Sequence, residues 1–174
     1  MMKKKVVVVG GGPAGHNAAA SAARYGAQVV LIERDVIGGL AHLRDCVPSK
    51  SMIATGGALS FAHRLDGMGL AQVETEINVE QLRNRIQSIE NRLEGSVTEL
   101  LTSLEVQIIH GTARLSSPNS VSVKTEEDEI KIDADVIVLA TGSRPRIPEW
   151  AIIDSERILT TRDAYPPKEI PEHI

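Results

Sequence analysis

Apolar residues in this chain fall into short unbroken runs and one long periodic stretch, and the two patterns predict different elements. Val6–Val9 is a continuous β-branched run closed by glycine, as expected of a strand buried on both faces. Pro13–Tyr25 is alanine-rich and predicts a helix, with Pro13 tolerated in the first turn and Gly26 as the C-terminal stop. Gln28–Ile32 is a second buried strand that ends at Glu33. Strand, glycine turn, helix and strand over residues 5–33 make one βαβ unit.

After Gly38 and Gly39 a helix is expected from Pro48 or Ser49 to about His63, followed by a glycine-punctuated loop at Asp66–Gly69. Asn78 is a candidate N-cap for a long helix from Val79 to about Ser103, which completes a helical pair over 48–104. Its apolar positions, Leu82, Ile86, Ile89, Leu93, Val97, Leu100 and Leu104, step by three and four and define one buried stripe. The charges between them (Arg83, Arg85, Glu90, Arg92, Glu94) read as a solvated face. In residues 106–133, Val106–Ile109 reads as a further sheet strand. Thr112–Leu115, Val121–Lys124 and Ile130–Ile132 read as an antiparallel meander. A closing strand over 135–141, built on Val136–Ala140 and expected to be buried, leads into Thr141-Gly142-Ser143. The fold class is therefore α/β: a Rossmann-like dinucleotide-binding domain over 1–148 with a parallel sheet, a helical excursion and a small antiparallel β-meander. Residues 149–174, where prolines cluster, are expected to form a connector.

Composition narrows the function classes. The 174 residues are 42% hydrophobic, enough to bury one core. A net charge of −4 without a basic stripe, together with 2% aromatics, argues against nucleic acid as a partner. No apolar run reaches the roughly 20 residues needed to span a bilayer. The Val6–Val9 run is too short for a signal-peptide core. One cysteine, Cys46, excludes a disulfide within the chain and fits a reducing cytoplasm. No metal-ligand cluster stands out.

Candidate chemistry begins at Gly10-Gly11-Gly12-Pro13-Ala14-Gly15, a G-x-G-x-x-G placed between a strand and a helix. In such a turn Gly10 bends the chain, Gly12 admits the backbone to a pyrophosphate, and Gly15 lets helix and strand approach. Free N–H groups at the helix start then face the phosphate charge. Glu33 ends the next strand, where a carboxylate can accept hydrogen bonds from a ribose hydroxyl and would repel a 2′-phosphate. NADP is thereby disfavoured at this site. FAD and NAD both remain.

Two further segments carry a family resemblance. Gly38-Gly39-Leu40-Ala41, four residues, then Cys46-Val47-Pro48-Ser49-Lys50 resembles the redox signature of the pyridine nucleotide–disulfide oxidoreductases, and Asp135–Pro145 is similar to their Ala-Thr-Gly segment. The resemblance implies FAD as cofactor, with NAD(P)H as co-substrate of the whole protein. It implies that Gly10, Gly12, Pro13, Ala14 and Gly15 hold the pyrophosphate and that Glu33, with Arg34 beside it, meets the adenosine ribose. Gly39 and Leu40 would lie along the cofactor, Lys50 near flavin N5, Ala113 at the adenine side, and Ala140, Thr141 and Gly142 would complete the cradle. A homodimer is implied for the whole protein. The chain reads as an opening segment, with 149–174 leading toward an NAD(P)-binding domain.

One departure alters the expected chemistry. Ala41 stands where the family carries its first redox cysteine, while Cys46 keeps the position of the second. Dithiol–disulfide exchange needs two sulfurs, so Cys46 is expected to be a packed small hydrophobe rather than a catalytic thiol. The resemblance is then to the subgroup acting as NAD(P)H:quinone reductase. The alternatives are a dihydrolipoyl dehydrogenase-like disulfide reductase using Cys46 with a thiol from elsewhere, or an FAD-binding module without turnover.

Overall fold

The computed structural model describes residues 3–71, 73–171 and 173. The chain divides into two compact units, residues 1–43 with 92–144, and residues 44–91 with 145–174.

The first unit is built on a parallel sheet of β1 (Lys5–Val9), β2 (Gln28–Glu33), β3 (Gln107–His110) and β7 (Val136–Leu139), in the order β3-β2-β1-β7. Between β3 and β7 the chain forms an antiparallel sheet of β4 (Thr112–Ser117), β5 (Ser120–Lys124) and β6 (Glu129–Asp133). The unbroken valine run of β1 follows from what covers its two faces. Val6 and Val8 join Val29, Leu31, Ala19 and Ala20 of helix α1 (Pro13–Arg24), and Leu101. Val7 points the other way with Val30 and Ile32, against Val121, Val123 and Ile132 of the antiparallel sheet. A strand walled by helices on one side and a sheet on the other has no polar face. Each fully buried Leu or Ile there contributes about 1.5–3 kcal/mol.

Helix α2 (Val47–Ala62) follows a wide helical turn at Ala41–Cys46 that the sequence reading did not anticipate. Helix α3 (Val79–Ser103) starts as expected, with the Gln81 N–H donating to Asn78 Oδ1 at 2.9 Å. Its stripe needs two corrections. Leu100 is exposed and Leu101 is fully buried, because the last turns of α3 join the apolar cluster of Val6, Val8 and Leu31 through Leu101, with Val97 and Leu104 around it and Leu100 at the rim. Glu90, assigned to the solvated face, is buried at 5% exposure and paired with Arg44. Arg83, Arg85 and Arg92 are exposed as expected. A short helix α4 (Thr161–Ala164), with a capping box between Thr160 and Asp163, interrupts the proline-rich segment. No helix among the described residues is long and apolar enough to cross a membrane.

Candidate functional site

A cavity of about 380 Å³ opens at the carboxyl ends of the parallel strands, within the first unit. The strand order explains its place. The chain builds outward from β1 through β2 to β3, then returns to the opposite side with β7, leaving a crevice where the direction reverses. Val9, Glu33, Gly111 and Ala140, at or just beyond the ends of the four strands, line it together with Gly10, Gly12 and Pro13. The volume lies in the range of small-molecule and cofactor sites.

The glycine turn is held from within. Gly10 donates to the Ile32 carbonyl at 2.8 Å and has φ of 105°, and a Cβ on it would lie 2.2 Å from the Ala140 carbonyl oxygen. A Cβ on Gly15 would lie 1.8 Å from the Gly10 carbonyl oxygen. Gly12 differs. Its backbone is ordinary extended chain (φ −68°, ψ −176°), and a Cβ there would meet nothing closer than Gly39 Cα at 3.7 Å. The chain's own packing thus demands glycine at 10 and 15 and makes no demand at 12, on the cavity wall. The first turn of α1 carries no acidic side chain, and its leading N–H groups lack intrahelical acceptors. A phosphate group fits this end.

Glu33 is half-buried and lines the cavity. Its Oε2 accepts the Gly11 N–H at 2.6 Å, and its Oε1 accepts the N–H groups of Arg34 and Asp35 at 2.8 Å each. These use three of about four acceptor positions on a carboxylate, so one remains for a hydroxyl donor. The sequence reading gave Glu33 a ligand role alone; here it also ties the glycine turn to the segment after β2.

Of the other residues singled out from sequence, Arg34, Gly39, Leu40, Ala41, Ala113, Ala140, Thr141 and Gly142 line the same cavity. Gly15 lies buried behind the turn, and Ala14 is exposed in the first turn of α1; neither is part of the cavity wall. Asp35, Ser143 and Arg144 line it and were missed. Their signal is positional: like Thr141, each lies in the segment that leaves a parallel strand at its carboxyl end.

Cys46 and Lys50 belong to the other unit. Cys46 is exposed, and Lys50 Nζ lies 3.4 Å from its Sγ, one helical turn along α2. The expectation of a packed small hydrophobe is corrected: position 46 precedes the first turn of α2, and the residue buried there is Pro48. In the same unit Arg44 pairs with Glu90. Burial pushes the Glu90 carboxyl above its ordinary range, and the Arg44 guanidinium partly offsets this. Arg162 of α4 reaches Asp45 at 3.3 Å.

Residues 4–174 match the family described as pyridine nucleotide-disulphide oxidoreductase. The chain belongs to that family. Among curated relatives, an NAD(P)H dehydrogenase (quinone) of Mycobacterium tuberculosis is 35% identical over 165 residues, 90% of this chain and 34% of that protein. A dihydrolipoyl dehydrogenase of Bacillus subtilis is 31% identical over 158 residues, with the same coverage. The crystal structure of LpdA from Mycobacterium tuberculosis is similar with a TM-score of 0.81 and 35% identity, over 93% of this chain and 37% of that one. The HOCl-induced flavoprotein disulfide reductase RclA of Escherichia coli shares the fold, with a TM-score of 0.65 and 24% identity over 86% of this chain and 31% of that one. This family member spans about a third of the length of the curated relatives it matches.

Proposed function

We propose that this chain holds FAD in the cavity of its first unit, and that it is the FAD-binding part of an oxidoreductase passing electrons from NAD(P)H to a quinone-type acceptor. A dinucleotide at this site is supported by the contrast at the turn: two glycines required by the chain's own backbone and a third, Gly12, that the fold leaves free, at a helix start without acidic side chains. The choice of FAD over NAD rests on the family. A wall position kept without a Cβ, where packing does not ask for it, suits close approach of a diphosphate. Bound FAD would supply the redox chemistry, taking a hydride and releasing electrons. Glu33 would orient the adenosine ribose, and the backbone at Ala113, Ala140, Thr141 and Gly142 would exclude water from the adenosine side. By family resemblance Lys50 would supply a cation for the flavin.

The acceptor assignment rests on position 41. Ala41 offers no sulfur, the chain has a single cysteine, and a quinone needs no thiol relay. The similar NAD(P)H dehydrogenase (quinone) supports that choice. In this proposal residues 1–148 form the FAD-binding domain, 149–174 lead to an NAD(P)-binding domain, and the whole protein is a cytoplasmic homodimer. The test is turnover by the protein that carries this chain. With NADH or NADPH, quinone-dependent oxidation of the nicotinamide is expected, with no oxidation of dihydrolipoamide by NAD. Dihydrolipoamide turnover without quinone reduction overturns the acceptor assignment.

A further inference from the structure

We infer that Asp35 and Arg144 form a clasp across the cavity mouth that governs how fast a bound adenine dinucleotide leaves; the inference rests on the FAD reading of the cavity. Arg144 Nη2 lies 2.9 Å from Asp35 Oδ2, and Arg34 Nε approaches the same oxygen at 3.5 Å. Strand order gives this pair its place. Asp35 follows β2 and Arg144 follows β7, and those strands flank β1 on its two sides. A bond between the segments leaving β2 and β7 therefore crosses above the carboxyl end of β1, where the glycine turn begins. Both residues line the cavity.

Each end of the clasp is positioned from behind. The Asp35 N–H donates to Glu33 Oε1 at 2.8 Å, while the other Glu33 oxygen holds Gly11. On the far side the chain turns at Gly142, with φ of 63°, before it reaches Arg144. Both side chains lie outside the apolar clusters on the two faces of the parallel sheet and are at least a third exposed, so loss of their contact opens no cavity in the core. Their contact acts on the opening. The side chains are 36% and 59% exposed, which makes this a weak, salt-screened ion pair that opens often. A clasp of this kind slows departure by a small factor and does not seal the site. Asp35 and Arg144 are positioning residues, and their effect belongs in the release rate.

The experiment follows flavin fluorescence by stopped flow after FAD-loaded chain is diluted into excess ADP. Four proteins are compared: the parent, Asp35→Asn, Arg144→Gln, and the exchanged pair Asp35→Arg with Arg144→Asp. Each single variant is expected to release FAD about two- to fivefold faster than the parent at low salt. The difference should vanish near 1 M salt, and the exchanged pair should recover the parent rate. A purely structural role would give neither the salt dependence nor the recovery. Release at the parent rate in both single variants overturns the clasp and leaves the FAD reading standing. Single variants that release faster without recovery in the exchanged pair also overturn it. A parent chain that binds no FAD overturns both.

Discussion

Replacing Gly12 with alanine separates ligand recognition from folding. The new methyl group would sit 3.7 Å from Gly39 Cα, ordinary contact, on a backbone whose φ of −68° any residue adopts. Two stability effects oppose each other. Alanine narrows the unfolded ensemble, a gain of about 0.4–1 kcal/mol, while loss of glycine at the N-cap costs a comparable amount. The net change is expected within about 1 kcal/mol. At the ligand the same methyl group displaces a diphosphate from the N–H groups behind it. Losing one charge-assisted hydrogen bond costs about 1.5–3 kcal/mol, a factor of roughly ten to 150 in Kd. Gly15→Ala is the control. Its Cβ would lie 1.8 Å from the Gly10 carbonyl oxygen, so backbone must move, at about 3 kcal/mol or more. FAD titration by flavin fluorescence, paired with thermal melting, reads both quantities. Gly12→Ala should melt with the parent and bind at least tenfold more weakly, whereas Gly15→Ala should melt well below it. Unchanged FAD affinity in Gly12→Ala would falsify the reasoning.

Further expectations concern the second unit. Arg44→Met leaves the Glu90 carboxyl buried without its partner. Because Arg44 is 41% exposed, the loss is expected at about 1–3 kcal/mol, below that of a fully buried pair. The double variant with Glu90→Leu should recover most of it in urea unfolding. Burial, partly offset by Arg44, raises the Glu90 pKa above its ordinary 4.5. The folded state therefore holds that proton more tightly than the unfolded chain. Stability should fall as pH rises from 4.5 through the raised value, and Glu90→Gln should flatten that slope. Asp154 behaves oppositely. The N–H of Ile158, then those of Glu156 and Arg157, hold its carboxyl down to about 2, so the 154–158 turn should loosen only as pH falls from 3.8 through about 2, visible in its amide resonances. In the protein that carries this chain, Cys46→Ser should leave quinone reduction intact and remove any thiol-dependent turnover.

The two inner parallel strands were legible because both of their faces are covered, which leaves an unbroken apolar run with no competing pattern. Val6–Val9 and Gln28–Ile32 read directly for that reason. The closing strand β7, expected to be buried, lies at the sheet edge with Val136 and Leu139 exposed. The glycine turn was legible because close backbone approaches at Gly10 and Gly15 restrict those positions to one residue type. Glu90 was misread because periodicity reports the average face of a helix and cannot see a single guanidinium arriving from a distant turn. The wide turn at Ala41–Cys46 was missed for a related reason: it mixes alanine, charge and one apolar residue, Leu43, and has no period to detect. Asp35 and Arg144 carry no local pattern at all. They become meaningful only once the strand order brings the ends of β2 and β7 to either side of β1.

The central claim is that the turn at residues 10–15 and the strand ends around it receive FAD. Amide chemical-shift mapping of the isotope-labelled chain during FAD titration addresses it most directly. Shifts at Gly10, Gly12, Ala14, Gly15, Ala113, Thr141 and Gly142 that saturate at one equivalent are the expected result. Saturable shifts confined to other residues, or none at all, would contradict the account.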